Sequence, residues 1–256
     1  MGRKWYISED EKVVYKDKNQ WHSFDWRDGL IDASVKLIIT KKGRIWVAGS
    51  HQGVAATAYL SPNNRWIRQT HPALSWGIDS RSVFEDREGS LWFGASVDRQ
   101  EALGQISGIL QLPNPDSDEL QWKHHTQRDG IGQHNVYGIG QSSDGRIWAG
   151  GTNLLNFHNA RWSILSGIDQ LNEFVDIVHS KEKLWVGSRY YGLFSFDGNT
   201  WDYYTKNDGL PSNTIISIYE ETQESVWVIT DKDIAWFDGK KWENGLFPET
   251  FRIPRE

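Results

Sequence analysis

The chain has 256 residues, 34 acidic against 28 basic side chains and a pI near 5.8, a balance that lacks the global positive field a phosphate backbone or an anionic membrane would attract. Without a single cysteine it can hold no disulfide, thiolate metal site or cysteine nucleophile, so the fold stands on packing alone. The outlier is aromatic: 15 Trp against one Met, a bias that calls for a structural reason.

That reason is a repeat, visible in chain order. A first tryptophan follows a short charged or glycine turn and sits in an apolar stretch: Trp5 in KWYIS, Trp46 in IWVAG, Trp92 in LWFGA, Trp148 in IWAGG, Trp185 in LWVGS and Trp227 in VWVIT. A second follows after 14 to 30 residues behind a polar turn, at Trp21, Trp66, Trp122, Trp162, Trp201 and Trp242. A glycine followed by Leu or Ile comes third, at Gly29, Gly77, Gly130, Gly167, Gly209 and Gly245. Three independent marks each occur six times. Between them lie short segments rich in Val, Ile, Tyr, Phe and Trp, bounded by Gly, Asn, Asp and Ser, which read as strands joined by tight turns. The clearest unit, Phe174 to Thr205, gives four: FVDIV, LWVGS after SKEK, GLFSF, and TWDYYT after DGN.

Four antiparallel strands per unit of about 40 residues is the blade of a propeller. The expected fold is all-β, one six-bladed β-propeller over 1-256, with blades at 34-70, 80-126, 134-165, 173-205 and 213-245 and a first blade made of 1-27 plus 248-256. The N-terminus begins in register with a second strand, so the first blade lacks its innermost strand. LFPETFRI after Gly245 parallels LPSNTIISI after Gly209, so the C-terminal strand, near Thr250 to Ile253, is expected to complete that blade and close the ring. From each glycine mark to the next first tryptophan the uninterrupted cases span 15 to 18 residues, and joining tail to head gives 16. Extra length at Val97 to Leu120 and His71 to Asp79 reads as loop insertion.

Twelve tryptophans at fixed strand positions are expected to pack between blades. Trp26 and Trp76 fall instead in connections between a fourth strand and the next first strand, and Trp236 lies on the third strand of the last blade. Those connections open on one face together with the second-to-third-strand turns, the face on which propellers usually bind. The residues expected there are His51, Trp76, Asp98, Arg99, Arg128, His134, Asn153, Arg189, Tyr190, Tyr191 and Asp231, a mixture that suits a protein partner or a small polar ligand.

Chemistry is thinner. His124 and His125 are strand neighbours pointing to opposite faces and cannot chelate as a pair. His51, His71 and His134 are too far apart in sequence for a zinc spacing, so neither a metal nor another cofactor is expected. No G-x-S-x-G occurs. The pairs Glu85-Asp86 and Glu220-Glu221 read as solvated surface beside turns on the opposite face.

The run Leu184 to Ile218, LWVGSRYYGLFSFDGNTWDYYTKNDGLPSNTIISI, resembles the repeat of the two-component regulator propeller family, with weaker copies at Arg44 to Ser50, Arg87 to Ser96 and Asp144 to Thr152. That family commonly forms the sensory part of bacterial hybrid sensor kinases, usually periplasmic, with two rings before a connecting domain and the membrane. The chain departs from this plan in showing one ring and no kinase or membrane span, so the resemblance implies a recognition module, a sensor or scaffold that binds a ligand or a protein, rather than a signalling enzyme. It is expected as a stand-alone, monomeric ring, and its charge balance and lack of an apolar span argue against nucleic acid and membrane insertion. No stretch reads as a signal peptide, which places it in the cytoplasm as written, or in the periplasm or outside the cell if a leader has been removed. Streptogramin-type lyases and lactonases are propellers with related short-strand repeats, in which a His and acidic residues around the channel deprotonate or coordinate substrate. A propeller lyase or hydrolase using the loop histidines is therefore the alternative. A multivalent lectin is disfavoured, because the loops differ from blade to blade.

Overall fold

The computed structural model describes residues 3-94, 108-131, 135-165, 173-179, 183-221 and 225-245. Its elements fall into two compact units, Met1–Ile139 and Gly140–Glu256.

In the first unit a three-stranded antiparallel sheet comprises β1 (Lys4–Ile7), β2 (Val13–Asp17) and β3 (Gln20–Phe24). Two four-stranded sheets follow: β4 (Ala33–Ile39), β5 (Ile45–His51), β6 (Val54–Leu60) and β7 (Trp66–Thr70), then β8 (Val83–Glu85), β9 (Leu91–Gly94), β10 (Ile109–Leu112) and β11 (Lys123–His125). The boundary falls inside β12 (Val136–Gln141), which heads the sheet continued by β13 (Ile147–Gly151), β14 (Leu154–His158) and β15 (Arg161–Ile164). The second unit adds β16 (Phe174–His179), β17 (Leu184–Ser188), β18 (Gly192–Phe196) and β19 (Trp201–Tyr204), and β20 (Ile215–Glu220), β21 (Val226–Thr230), β22 (Ile234–Phe237) and β23 (Trp242–Asn244). Every sheet is a meander in sequence order, and the six are the blades of an all-β, six-bladed β-propeller. The first blade has three strands among the described residues, as its missing first strand requires; the segment expected to complete it, Thr250 to Ile253, lies outside them.

The tryptophan marks acquire a geometric meaning at the seams between consecutive sheets. Trp5 meets Trp66 at 6.3 Å and 86°, Trp46 meets Trp122 at 6.1 Å and 84°, Trp148 meets Trp201 at 5.4 Å and 82°, and Trp185 meets Trp242 at 6.4 Å and 82°. In each pair the first tryptophan of one blade meets the second tryptophan of the next, edge to face, the arrangement the ring quadrupoles favour. Further apolar side chains pack at two of these seams: Leu91, Phe93 and Leu112 beside Trp46, and Val226, Val228 and Phe237 beside Trp185. Trp21 departs from the expectation of twelve packed tryptophans. It is 57% exposed, against 4% for Trp66 at the same position, and leans on Tyr6 with the Lys16 ammonium 5.7 Å from its ring.

The glycine mark has an equally local cause. Asp25, Thr126 and Thr205 each cap a one-turn 3-10 helix reciprocally with the aspartate three residues on, and Gly29, Gly130 and Gly209 then turn the chain with φ of 92°, 99° and 111°. The next amide bonds back to the cap carbonyl, Leu30 to Asp25, Ile131 to Thr126 and Leu210 to Thr205, which drives each aliphatic side chain into the interior. At Gly29 there is no room for a side chain, because a Cβ would stand 2.4 Å from the Trp66 carbonyl oxygen.

Asp86 corrects the reading of Glu85-Asp86 as solvated surface. It is buried, and accepts hydrogen bonds from the Trp92 indole at 2.7 Å and the Ser90 amide at 2.7 Å, so burying this first tryptophan fixes the carboxylate with it. Glu85 accepts from the Lys41 amide at 3.0 Å, tying the third blade to the second.

Candidate functional site

One local contact recurs in three blades and joins the two kinds of loop expected to bind. The turn between the second and third strands hydrogen-bonds to the residue just before the first strand: Gln52 N to Asp32 Oδ2 at 2.9 Å, Arg189 N to the Glu173 carbonyl at 3.0 Å, and Asp231 N to the Thr214 carbonyl at 3.2 Å. An antiparallel meander dictates this, since both loops leave the same end of the sheet.

In the first unit the β5–β6 turn puts Gln52 and Gly53 in the left-handed region, φ 52° and 72°, as a two-residue hairpin turn requires. His51, just before it, is buried at its ring. Its Nδ1 lies 3.2 Å from Asp32 Oδ2, without hydrogen-bond geometry. The Ile78 amide donates to the Gly49 carbonyl at 3.1 Å, laying the loop that carries half-buried Trp76 along β5. Arg128 stands exposed on the turn Gln127–Asp129. Asp98, Arg99 and His134 lie outside the described residues. His71, grouped with His51 and His134 as a loop histidine, is turned inward instead: its Nε2 is 2.9 Å from the Thr57 hydroxyl and burial lowers its pKa to about 4.

The second unit brings four of the predicted residues onto one framework. Arg189, Tyr190 and Tyr191 form the β17–β18 turn, pinned from inside by the Ser188 hydroxyl, which accepts from the Tyr190 and Tyr191 amides at 3.3 Å. Gly192 N donates to the Asn213 carbonyl at 2.8 Å, the Asn213 side chain accepts from Lys206 N at 2.8 Å, and neighbouring Thr214 holds Asp231. The tyrosine turn, the connection before β20 and the β21–β22 turn are thus stitched together through Asn213 and Thr214. On the other flank the Arg189 guanidinium pairs with Glu173 at 3.2 Å, and Glu173 is held at φ 66°, a backbone state that non-glycine residues adopt only when their surroundings impose it. Tyr190 is 56% exposed, and Tyr191 and Tyr203 are also exposed. The Tyr203 phenol is pushed above its ordinary range by burial first, then by Asp208 and Tyr191, which places Tyr191 and Tyr203 in one neighbourhood. Asn153 stands apart, half-buried in the β13–β14 turn with its carbonyl accepting from Gly151.

Asp32, Glu173 and Asn213 escape the sequence reading. Each sits just before or within a loop of unremarkable composition, and the only signal for the first two is their register, one residue ahead of a first strand. Among the described residues no group of three or more His, Asp or Glu side chains is placed to hold a metal ion.

No family model matches the chain, and no curated protein matches it. Solved structures do. A catalytically inactive H270A virginiamycin B lyase from Staphylococcus aureus with quinupristin is 10% identical with a TM-score of 0.62, the match covering 94% of this chain and 82% of the lyase. YCF48 bound to D1 peptide is 14% identical with a TM-score of 0.59, covering 98% of this chain and 76% of that one. The extracellular domain of a hybrid two-component system from B. thetaiotaomicron is 16% identical with a TM-score of 0.50, covering 94% of this chain but only 40% of that domain. At these identities the likeness establishes the fold, and it includes propellers of the two-component type that the repeat resembles. No helix among the described residues is long and apolar enough to cross a membrane.

Proposed function

We propose that the chain is a non-enzymatic recognition module of the sensor or scaffold type, which binds a protein partner through the loops of its second unit, with a small polar ligand as the other class those loops suit. The observation that carries this reading is the stitched Arg189–Tyr190–Tyr191 turn: exposed tyrosines beside a guanidinium, on loops whose backbones are already fixed. Tyrosine and arginine supply large contact area at modest entropic cost and dominate protein interfaces, and fixed loops lose little freedom on binding. A propeller of the same fold binding a peptide, YCF48, supports the partner class. The test is the double variant Arg189→Ala/Tyr190→Ala used as bait beside the wild type: the partner retained by the wild type is lost by tenfold or more, while the thermal midpoint moves by less than about 2 °C, since both side chains are exposed. Equal retention by the two baits removes the site.

A second reading rests on His51 and Asp32. The Asp32 carboxylate stands 3.2 Å from His51 Nδ1, close enough to orient the imidazole as a general base if that contact tightens into a hydrogen bond, and a lyase of this fold exists. On this reading the module is a lyase or hydrolase, and turnover of one member of a lactone and glycan panel would disappear in His51→Ala. No turnover across the panel leaves the binding module alone.

A further inference from the structure

The seam between the second and third blades contains a half-buried histidine that the proposed site does not use. His71 follows β7 and is fixed through its backbone: its amide donates to the Ala55 carbonyl at 2.7 Å and its carbonyl accepts from Leu74 at 3.0 Å. Its ring is trapped between sheets. On the second blade Nε2 meets the Thr57 hydroxyl at 2.9 Å, and Thr57 has no solvent exposure; on the third, the Trp122 ring lies 4.6 Å away. Trp122 is itself the seam's keystone, facing Trp46 at 6.1 Å and Phe93 at 5.6 Å, with its indole N–H donating to Gln69 Oε1 at 3.0 Å.

We propose that this seam is an acid-sensitive latch, closed while His71 is neutral and loosened when its imidazole takes up a proton, so that the loop His71 to Ile78, which carries Trp76, comes away from β5 and β6. Thr57 can accept from a protonated ring, so the hydrogen bond survives protonation. What fails is the solvation of the charge, because the groups against the ring, the Trp122 indole and the neutral Thr57 hydroxyl, carry no negative charge to replace water. The charge that reaches His71 from β11 is that of His124, and it is of the same sign once protonated. The nearby carboxylate, Asp129, and the cation Lys123 act on His125 instead. His125 is lowered by burial first, with Asp129 acting against that shift, and it stacks on Trp92 rather than on the His71 ring.

The sign follows from linkage. The closed imidazole titrates at about 4 and an opened one at its ordinary 6.5, so the closed seam keeps its full advantage above pH 6.5 and loses it as the pH falls toward 4. Between pH 7 and pH 4.5 the ratio of closed to open seam falls about 60-fold.

Amide hydrogen exchange on the whole chain, corrected for the intrinsic pH dependence, reads this directly. The peptides covering Ala55 to Tyr59 and Trp122 to His125 are expected to lose about 60-fold protection between pH 7 and pH 4.5, while the β17–β18 pair is unaffected. His71→Gln, which keeps a hydrogen-bonding group and cannot titrate, is expected to flatten that loss to less than about threefold. Should that variant fail to fold, the imidazole resonances of wild-type His71 serve instead: titration near pH 4 supports the latch. Unchanged protection at pH 4.5, a wild-type pH profile in His71→Gln, or titration of His71 near 6.5 with the seam intact each overturns it.

Discussion

Asp176 accepts a hydrogen bond from the Ile218 amide at 2.8 Å, so a buried carboxylate on the first strand of the fifth blade satisfies the first strand of the sixth. The same oxygen takes the Ser217 hydroxyl at 2.9 Å, and the other accepts from the Ile177 amide at 3.0 Å. First strands carry backbone donors with no ladder partner on one side, and those donors demand an acceptor. Both strands bulge just before these residues, at Phe174/Asp176 and Ile215/Ser217, which turns Asp176 toward its neighbour.

Asp176→Ala is therefore expected to destabilise the fold by about 3 kcal/mol, because it leaves buried donors unsatisfied. Chemical denaturation measures it, with Asp202→Ala as control: Asp202 makes an exposed pair with Lys183, and its loss is expected to fall below about 0.5 kcal/mol. Equal losses for the two variants would contradict the link.

The tryptophan pairs predict a graded series. Trp46, at 1% exposure and edge-on to Trp122, is expected to lose about 4 kcal/mol on truncation to alanine. Trp21→Ala, at the same repeat position as buried Trp66 but largely in solvent, is expected to lose less than about 1 kcal/mol. Equilibrium unfolding of both variants decides whether the pairing or the mere presence of a tryptophan stabilises a blade.

Arg44 clamps part of the long insertion. Its guanidinium donates to the Ser117 carbonyl at 2.6 Å and the Pro115 carbonyl at 3.2 Å, lies 3.3 Å from Asp118 and stacks 5.2 Å over Tyr59, while the Trp46 indole shares the Pro115 carbonyl. Arg44→Lys keeps the charge and gives up the planar fork. Limited proteolysis is expected to cut 113-119 at least tenfold faster in Arg44→Lys than in the wild type, and identical cleavage rates would remove the clamp.

Two glycines with nearly the same backbone separate conformation from space. Gly29 at φ 92° is blocked by the Trp66 carbonyl, whereas Gly43 at φ 93° has nothing within 4 Å of the point a Cβ would occupy. Gly43→Ala is expected to cost about 1 kcal/mol for the left-handed backbone alone, and Gly29→Ala at least about 3 kcal/mol, since the chain must also move off the second blade. Thermal unfolding midpoints of the two variants check the difference.

The amino-acid sequence by itself determined the number of blades, the four-stranded meander and the incomplete first blade, because these depend on interactions a few residues long. Each blade needs a tight turn, an alternating apolar strand and a capped glycine corner, and each of those leaves a fixed residue type at a fixed spacing. It also located the tyrosine turn of the fifth blade, since a hairpin tip is local. Only the tertiary structure decided which side chains are free to act. His71 and Asp86 look like loop and surface residues until Thr57, Trp122 and Trp92 close over them, and His51 acquires Asp32 only when the fourth-to-first connection folds beside the β5–β6 hairpin. Burial and partnership depend on residues far apart in the chain, which strand periodicity does not encode. Composition names the residues that can bind, and packing selects among them.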